Sequence, residues 1–86
     1  MNEIRWKPKA AKQLRKIQQQ DALTIIEAVE LLQNFPEAEN PNTKRLVNHD
    51  YGYRLRVGRY RVMFDHEGDI KIISIEEVKK RDERTY

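Results

Sequence analysis

Cysteine is absent from this chain of 86 residues. Its absence excludes a disulfide framework, a thiolate zinc site and thiol catalysis. Histidine occurs only at His49 and His66, which is too few for a histidine-rich metal site. No apolar run reaches the roughly 18 residues that span a bilayer, and the beginning MNEIRWKPK lacks the apolar core of a signal peptide. We therefore expect one soluble, cytoplasmic domain over residues 1–86, with no metal, no cofactor and no membrane partner.

Charge of one sign is missing from long stretches of the chain. Residues 1–20 carry six basic side chains and one acid, whereas residues 21–43 carry five acids and no base. Residues 44–61 again carry six bases against one acid, and five of those bases are arginine. Because the planar guanidinium group suits phosphate, this distribution favours a polyanionic partner, of which nucleic acid is the commonest.

The spacing of apolar residues predicts the element order β-α-α-β-β-β. The predicted elements are a strand at 3–6, helices at 9–17 and from Ala22 to Phe35-Pro36, and strands at 53–57, 60–64 and 70–75. Asp21 is expected to cap the second helix, and residues 36–52 read as a loop. The pattern is that of an α+β domain with a two-helix hairpin on a mainly antiparallel sheet.

Gly58 and Arg59 predict a two-residue type II′ turn, which sets the register of the hairpin. Arg56 should then lie opposite Arg61, and Arg54 opposite Met63. One face should carry the core residues: Tyr53, Leu55, Val57, Tyr60, Val62 and Phe64. The other face gathers three arginines, and like charges directly opposite one another are destabilising unless an anion relieves them. The alternative is a merely solvated strand face whose arginines pair with acids elsewhere.

The C-terminal stretch 78–86 is the second informative segment. Tyr86 has a ring that can stack on a base and a hydroxyl that can donate to phosphate. A charged end of this kind is also compatible with a disordered tail or a solvated helical turn.

The hairpin YRLRVGRYRVMF at 53–64, followed by a strand and by KRDERTY at 80–86, resembles the RelE/ParE superfamily of bacterial toxins. These proteins are the toxins of type II toxin–antitoxin pairs, and the ending is similar to that of RelE-type members. The resemblance covers nearly the whole chain and implies a RelE/ParE-like fold. It also implies a metal-independent endoribonuclease that cleaves mRNA in the ribosomal A site through attack of the 2′-OH. The implied partners are a cognate antitoxin and ribosome-bound mRNA, with contacts to rRNA.

The resemblance assigns catalytic roles to five residues. Arg54 and Arg56 match phosphate-binding positions, and Arg61 matches the arginine that stabilises the phosphorane. Arg81 matches the arginine proposed to protonate the leaving oxygen, and Tyr86 the tyrosine that orients the scissile nucleotide. Because the guanidinium group of arginine stays protonated in proteins, Arg54 and Arg56 are expected to act as electrostatic stabilisers rather than as bases.

Two departures from the superfamily pattern concern basic positions. The segment before Tyr86 varies in length among members, so Arg84 is an alternative to Arg81. One basic position before the hairpin is Val47 here, and neighbouring basic residues are possible substitutes. Further substrate contacts are expected from Lys44, Arg45, Arg59, Lys80 and Arg84.

Two other functions remain open from the sequence. ParE-type members share the fold and poison DNA gyrase without enzymatic activity, but they generally lack the full set of catalytic-type residues. A basic nucleic-acid-binding module is the weaker alternative. Each histidine stands alone in a loop, which favours a structural role for His49 and His66. Trp6 and Tyr51 are expected as core or edge aromatics.

Overall fold

The computed structural model describes residues 1–81, and its elements follow the predicted order with one added strand. In chain order they are β1 (Glu3–Trp6), α1 (Pro8–Arg15), α2 (Gln19–Glu30) with a 3₁₀ helix (Leu31–Asn34), β2 (Thr43–Arg45), β3 (Tyr53–Val57), β4 (Tyr60–Glu67) and β5 (Ile72–Lys80). The α+β fold class is confirmed.

Within residues 1–81 the strands form one five-stranded sheet in the order β1-β5-β4-β3-β2. β1 pairs with β5 in parallel, and the remaining neighbours are antiparallel. The sheet is therefore mixed. The two helices follow β1 and cross one face of the sheet, and β5, the last strand, then lies parallel to β1.

The core lies between α2 and the sheet. Ile25, Val29 and Leu32 follow one another at spacings of four and three, so they share one side of the helix, and each is at most 1% exposed. They meet Leu55 and Phe64, which are equally buried on the sheet. Full burial of such side chains contributes about 1.5–3 kcal/mol each. This packing places both helices on the face of the sheet that the hairpin register predicted as the core face.

The expected cap of the second helix is wrong. α2 begins at Gln19 after Gln18, and no side chain caps it. Asp21 lies in the first turn instead, and its Oδ2 accepts a hydrogen bond from the Tyr60 hydroxyl at 3.2 Å. Burial and this bond raise the pKa of Tyr60. Asp21 thus hydrogen bonds with Tyr60 of the hairpin, whereas the local sequence pattern had assigned it to the N-terminus of α2.

Two strand predictions are corrected. The predicted loop 36–52 contains β2, a three-residue strand that hydrogen bonds with β3; it has too little alternation to be recognised from sequence. The third predicted strand, 70–75, is instead Ile72–Lys80, and Ile70 lies outside it with 59% exposure. The adjacent acids Glu76 and Glu77 interrupt the apolar pattern, which is why the second half of β5 reads as a tail.

The turn and the register of the hairpin are confirmed, whereas β4 continues to Glu67, beyond the predicted end at residue 64. Gly58 has a φ of 56°, whereas Arg59 is not among the residues with positive φ, as a type II′ turn requires. The cross-strand partners run from Val57 with Tyr60 to Tyr53 with Phe64, in the predicted register.

Candidate nucleic-acid interface

The sheet face opposite the helices carries two rows of side chains. In the first row Arg56 of β3, Arg61 of β4 and Lys79 of β5 lie side by side on neighbouring strands. Strands lie about 4.8 Å apart, so the row spans about 10 Å. Arg56 and Lys79 are exposed and Arg61 is half-buried. The row places three cationic side chains at one level of the sheet.

The second row lies one step further from the hairpin turn. Lys44 of β2 pairs with Arg54 of β3, which pairs with Met63 of β4, which in turn pairs with Glu77 of β5. Met63 is 7% exposed, so the middle of the row is closely packed. We call the five cationic residues of the two rows the basic face: Lys44, Arg54, Arg56, Arg61 and Lys79.

A β-bulge puts Lys79 on this face. Met63 pairs with Glu77 whereas Phe64 pairs with Ile75, so Glu76 is an extra residue in β5. If β5 alternated regularly from Ile75 onward, Glu77 would face the core and Val78 would face the basic side of the sheet. The bulge reverses this arrangement, and Val78 is 4% exposed in the core cluster. Bulges commonly re-aim side chains in this way beside functional sites.

Two elements support the edge of β5. The β1 ladder ends with a hydrogen bond from the Lys7 N–H to the Ile75 carbonyl, at 3.0 Å. Beyond it, α1 replaces the strand, because the Gln13 side-chain oxygen accepts a hydrogen bond from the Val78 N–H at 2.7 Å. The strand segment that carries Glu77 and Lys79 is therefore held on both sides.

Glu77 is a buried carboxylate in the middle of basic side chains, with 6% of its side chain exposed. Lys9 Nζ lies 2.6 Å from Oε2 and Lys79 Nζ lies 2.9 Å from Oε1. The Tyr51 hydroxyl donates to Oε2 at 3.4 Å. Tyr51 thus contacts Glu77 and is not part of the hydrophobic core, whereas Trp6 packs against the core as expected. Neither Glu77 nor Lys79 was identified from the sequence, since their positions depend on the bulge.

A pair of acids borders the basic face. The pKa of Glu76 is raised by burial and by neighbouring Asp65, and Lys7 opposes the shift. The Asp65 carboxylate also accepts a hydrogen bond from the Gly52 N–H at 2.7 Å. Asp65 pairs with Ser74, so these two acids lie toward the end of the sheet away from the hairpin turn. Residues 1–81 contain no group of three or more His, Asp or Glu side chains that could hold a metal ion.

The structure brings together some of the predicted site residues. Arg54, Arg56 and Arg61 share the basic face, and Lys44 joins them through its pairing with Arg54. Arg81 directly follows β5, and its N–H donates to the Arg59 carbonyl at 2.6 Å, which places both residues at the hairpin turn.

Other predicted residues lie elsewhere. Arg45 pairs with Tyr53 and Lys80 pairs with Tyr60, so both are on the helix side of the sheet. Val47, which the resemblance matched to a basic position of the superfamily, is 81% exposed in the loop before β3. The predictions for Arg84 and Tyr86 fall outside the described residues.

Neither histidine lies on the basic face. His66 packs edge-on against Phe35 on the helix side, with ring centroids 5.2 Å apart. His49 is in the exposed loop before β3, where its Nδ1 accepts a hydrogen bond from the Tyr51 N–H at 3.2 Å. The expected loop position of His66 is wrong, because His66 lies in β4 and pairs with Ile73, whereas His49 lies in a loop as expected.

The sequence model of one family, described as ParE toxin of type II toxin-antitoxin system, parDE, matches residues 4–85. No curated protein matches the chain. Since the match spans nearly all of it, the chain belongs to this family. It is a toxin of a type II toxin–antitoxin system within the RelE/ParE superfamily, and the resemblance carried by the hairpin is confirmed.

Solved structures share the fold at low sequence identity. The archaeal RelE–RelB complex from Pyrococcus horikoshii OT3 contains a chain with a TM-score of 0.78 and 20% identity, covering 95% of this chain and 97% of that one. A free-state RelE mutant from E. coli has a TM-score of 0.72 and 17% identity, with 98% and 86% covered. The YoeB/ParE toxin from Agrobacterium tumefaciens has a TM-score of 0.73 and 11% identity, with 95% and 100% covered. None of the helices in the described part of the chain is long and apolar enough to span a membrane.

Proposed function

We propose that this toxin is a RelE-type endonuclease that cleaves mRNA in the ribosomal A site. The observation that carries the proposal is the convergence of Arg54, Arg56 and Arg61 from two strands on the face that the helices leave uncovered. Arg56 and Arg61 are direct cross-strand partners, so their guanidinium groups project from neighbouring strands, where one phosphate can contact both.

The chemistry requires little beyond preorganised positive charge. The ribose 2′-OH attacks the adjacent phosphorus and loses its proton, while the bond from phosphorus to the 5′ oxygen breaks and that oxygen gains a proton. The products are a 2′,3′-cyclic phosphate and a free 5′-OH. Negative charge accumulates on the phosphorane in between, where guanidinium groups held by a sheet need no reorganisation.

Within this proposal the arginines have separate roles. Arg61, between Arg56 and Lys79 in its row, stabilises the phosphorane. Arg54 and Arg56 bind phosphate and stabilise the developing alkoxide electrostatically. Arg81, at the hairpin turn, lies at the end of the basic face where the leaving oxygen would be held. The stacking role of Tyr86 remains a proposal from the resemblance alone.

The ribosome supplies what the site lacks in this proposal. His66 packs against Phe35 on the helix side, and His49 accepts a hydrogen bond within the loop before β3. Without a side chain that titrates near neutral pH on that face, cleavage depends on a substrate already bent into an in-line geometry. A ribosome-bound codon offers such positioning, and the toxin would act in the cytoplasm.

A second candidate function is poisoning of DNA gyrase without catalysis, and the match to the ParE family description favours it. The basic face then binds an acidic or nucleic-acid surface, and no single arginine dominates the effect. The two functions differ in target, so one pair of assays separates them.

A cognate antitoxin is the proposed protein partner. The solved complexes of similar fold are toxin–antitoxin pairs, including those from Pyrococcus horikoshii OT3 and Mycobacterium tuberculosis. An antitoxin with acidic residues on an amphipathic helix or added strand would neutralise the basic face.

The test uses purified toxin on ribosomes programmed with a defined mRNA, and in parallel on gyrase with supercoiled DNA. The proposal expects codon-positioned cleavage ending in a cyclic phosphate, and no effect on gyrase. Gyrase inhibition with intact mRNA would support the second candidate and overturn the first.

A further inference from the structure

The strongest unassigned feature of the molecule is the arrangement around Glu77. Its two carboxylate oxygens have different partners: Oε2 contacts Lys9 of α1 and the Tyr51 hydroxyl, and Oε1 contacts Lys79. Burial of a carboxylate is unfavourable unless it is paired and hydrogen bonded. The contacts at Oε2 therefore anchor Glu77 to the helix and the loop, and leave Oε1 to hold Lys79.

Lys79 depends on this contact for its position. Its side chain is 62% exposed and has four flexible carbons, so little else restricts where the ammonium lies. Glu77 is two residues earlier on the same strand, and side chains two apart share a face. The ion pair thus keeps the Lys79 ammonium over the basic face, beside Arg61.

An ammonium group can bind Glu77 and a phosphate together. It has three N–H donors, so one bond to Oε1 leaves donors for a phosphate oxygen. The neighbouring Lys80 has the same charge, but it pairs with Tyr60 on the opposite side of the sheet.

We propose that Lys79 is a further phosphate-contacting residue of the RNA site, and that Glu77 is the residue that positions it. The inference rests on the proposed function, since it names a phosphodiester of single-stranded RNA as the ligand. Glu77 is then a positioning residue, acting through Lys79 and not on the substrate.

The test measures binding of the full-length toxin to a 2′-O-methyl RNA hexanucleotide, which lacks the free 2′-OH needed for cleavage. Affinity is measured at several salt concentrations. Lys79→Gln should weaken binding about 3- to 10-fold and reduce the salt slope by about 0.7, the value for one phosphate contact on a single strand. The sequence suggested that Lys80 contacts substrate, but Lys80 lies on the helix side of the sheet; Lys80→Gln, with the same charge change, should therefore leave the slope unchanged. Lys79→Arg should retain it.

The role of Glu77 is tested by whether its substitution strengthens or weakens RNA binding. Glu77→Gln raises the net charge by one, so bulk attraction predicts tighter binding; loss of positioning predicts binding about 2- to 3-fold weaker. Glu67→Gln, an exposed acid at the far end of β4, is the matched charge control. In a Lys79→Gln background, Glu77→Gln should cause no further loss, which a purely structural effect on folding would not reproduce.

The possible outcomes separate the two proposals. Equal losses for Lys79→Gln and Lys80→Gln would reduce the effect to bulk charge and overturn the contact. Tighter binding by Glu77→Gln would make Glu77 a competitor for Lys79 and overturn the positioning role.

If wild-type toxin does not bind the hexanucleotide, the RNA contact is wrong. If the Lys79 and Lys80 variants differ as expected but mRNA stays intact on ribosomes, the proposed cleavage alone fails. Because Lys79 is exposed, its variants test the contact even if Glu77→Gln does not fold.

Discussion

Lys79 of β5 is the cross-strand partner of Arg61 of β4, whereas Lys80, the next residue, pairs with Tyr60 on the helix side. One extra residue in β5, Glu76, decides which lysine joins the arginines. The composition of the basic face is thus controlled by a backbone irregularity as much as by the abundance of basic residues.

The first prediction concerns catalysis. Arg61→Ala should reduce ribosome-dependent mRNA cleavage by about 10²–10³-fold, the usual effect of removing one transition-state donor. The rate of cleavage on programmed ribosomes is the measurement. Arg59→Ala is the control, because it removes the same charge at the turn and keeps the Arg59 carbonyl that binds Arg81. Equal losses in the two variants would refute a specific catalytic arrangement.

The second prediction concerns the stability of the basic face. Arg56 is exposed and lies directly opposite Arg61, so Arg56→Ala removes one of two like charges on neighbouring strands. Arg56→Ala should leave the free energy of unfolding unchanged or raise it by a few tenths of a kcal/mol. Urea denaturation at low salt measures the change. A loss above about 1 kcal/mol would show that Arg56 is a structural residue.

The third prediction concerns pH. Burial and Asp65 raise the pKa of Glu76, so its ionised form is less favourable in the folded state than in the unfolded state. Above this pKa the charge destabilises the fold, and the penalty disappears as the pH falls through it. Glu76→Gln should therefore raise the stability at pH 7 by a few tenths of a kcal/mol, which is a Tm increase of about 1–3 °C.

The difference in Tm between the wild type and Glu76→Gln should shrink on acidification, because the protonated carboxyl is neutral like the amide. Thermal melts from pH 7 down to pH 4 test this. A difference that grows on acidification would contradict the assigned direction of the pKa shift. Glu67→Gln, at an exposed carboxylate, is the control for surface charge.

The fourth prediction compares two adjacent leucines of the 3₁₀ helix. Leu32 is fully buried in the core, whereas Leu31 is 65% exposed. Leu32→Ala should reduce the free energy of unfolding by about 2–5 kcal/mol, and Leu31→Ala by less than about 0.5 kcal/mol. Chemical denaturation gives both values. Similar losses would mean that the 3₁₀ helix packs differently from the structure.

The fifth prediction concerns the antitoxin. The complex with a cognate antitoxin should still form with Arg61→Ala, because such an interface is expected to extend over the helices and the sheet. Co-purification of the variant with the antitoxin encoded beside it is the measurement. Complete loss of the complex would instead centre the interface on the basic face.

The local pattern of the sequence determined the hairpin and its consequences. A two-residue turn with glycine at a positive-φ position allows one register, and strict alternation then assigns each side chain between residues 53 and 64 to a face. The gathering of Arg54, Arg56 and Arg61 follows from these rules. The sequence likewise predicted β1 and the position of Pro8 in the first turn of α1, because both depend on neighbouring residues alone.

Tertiary structure alone decided the rest of the site. β2 exists because β3 offers it an edge, and that pairing brings Lys44 to Arg54. Asp21 contacts Tyr60 rather than capping its helix, because the folded hairpin supplies the hydroxyl. Burial of Val78 in the core requires the bulge at Glu76, and the bulge turns Glu77 and Lys79 toward the basic face. Pairing between separate strands, and a contact between α2 and the hairpin, set the positions of these side chains, so no spacing within the sequence encodes them.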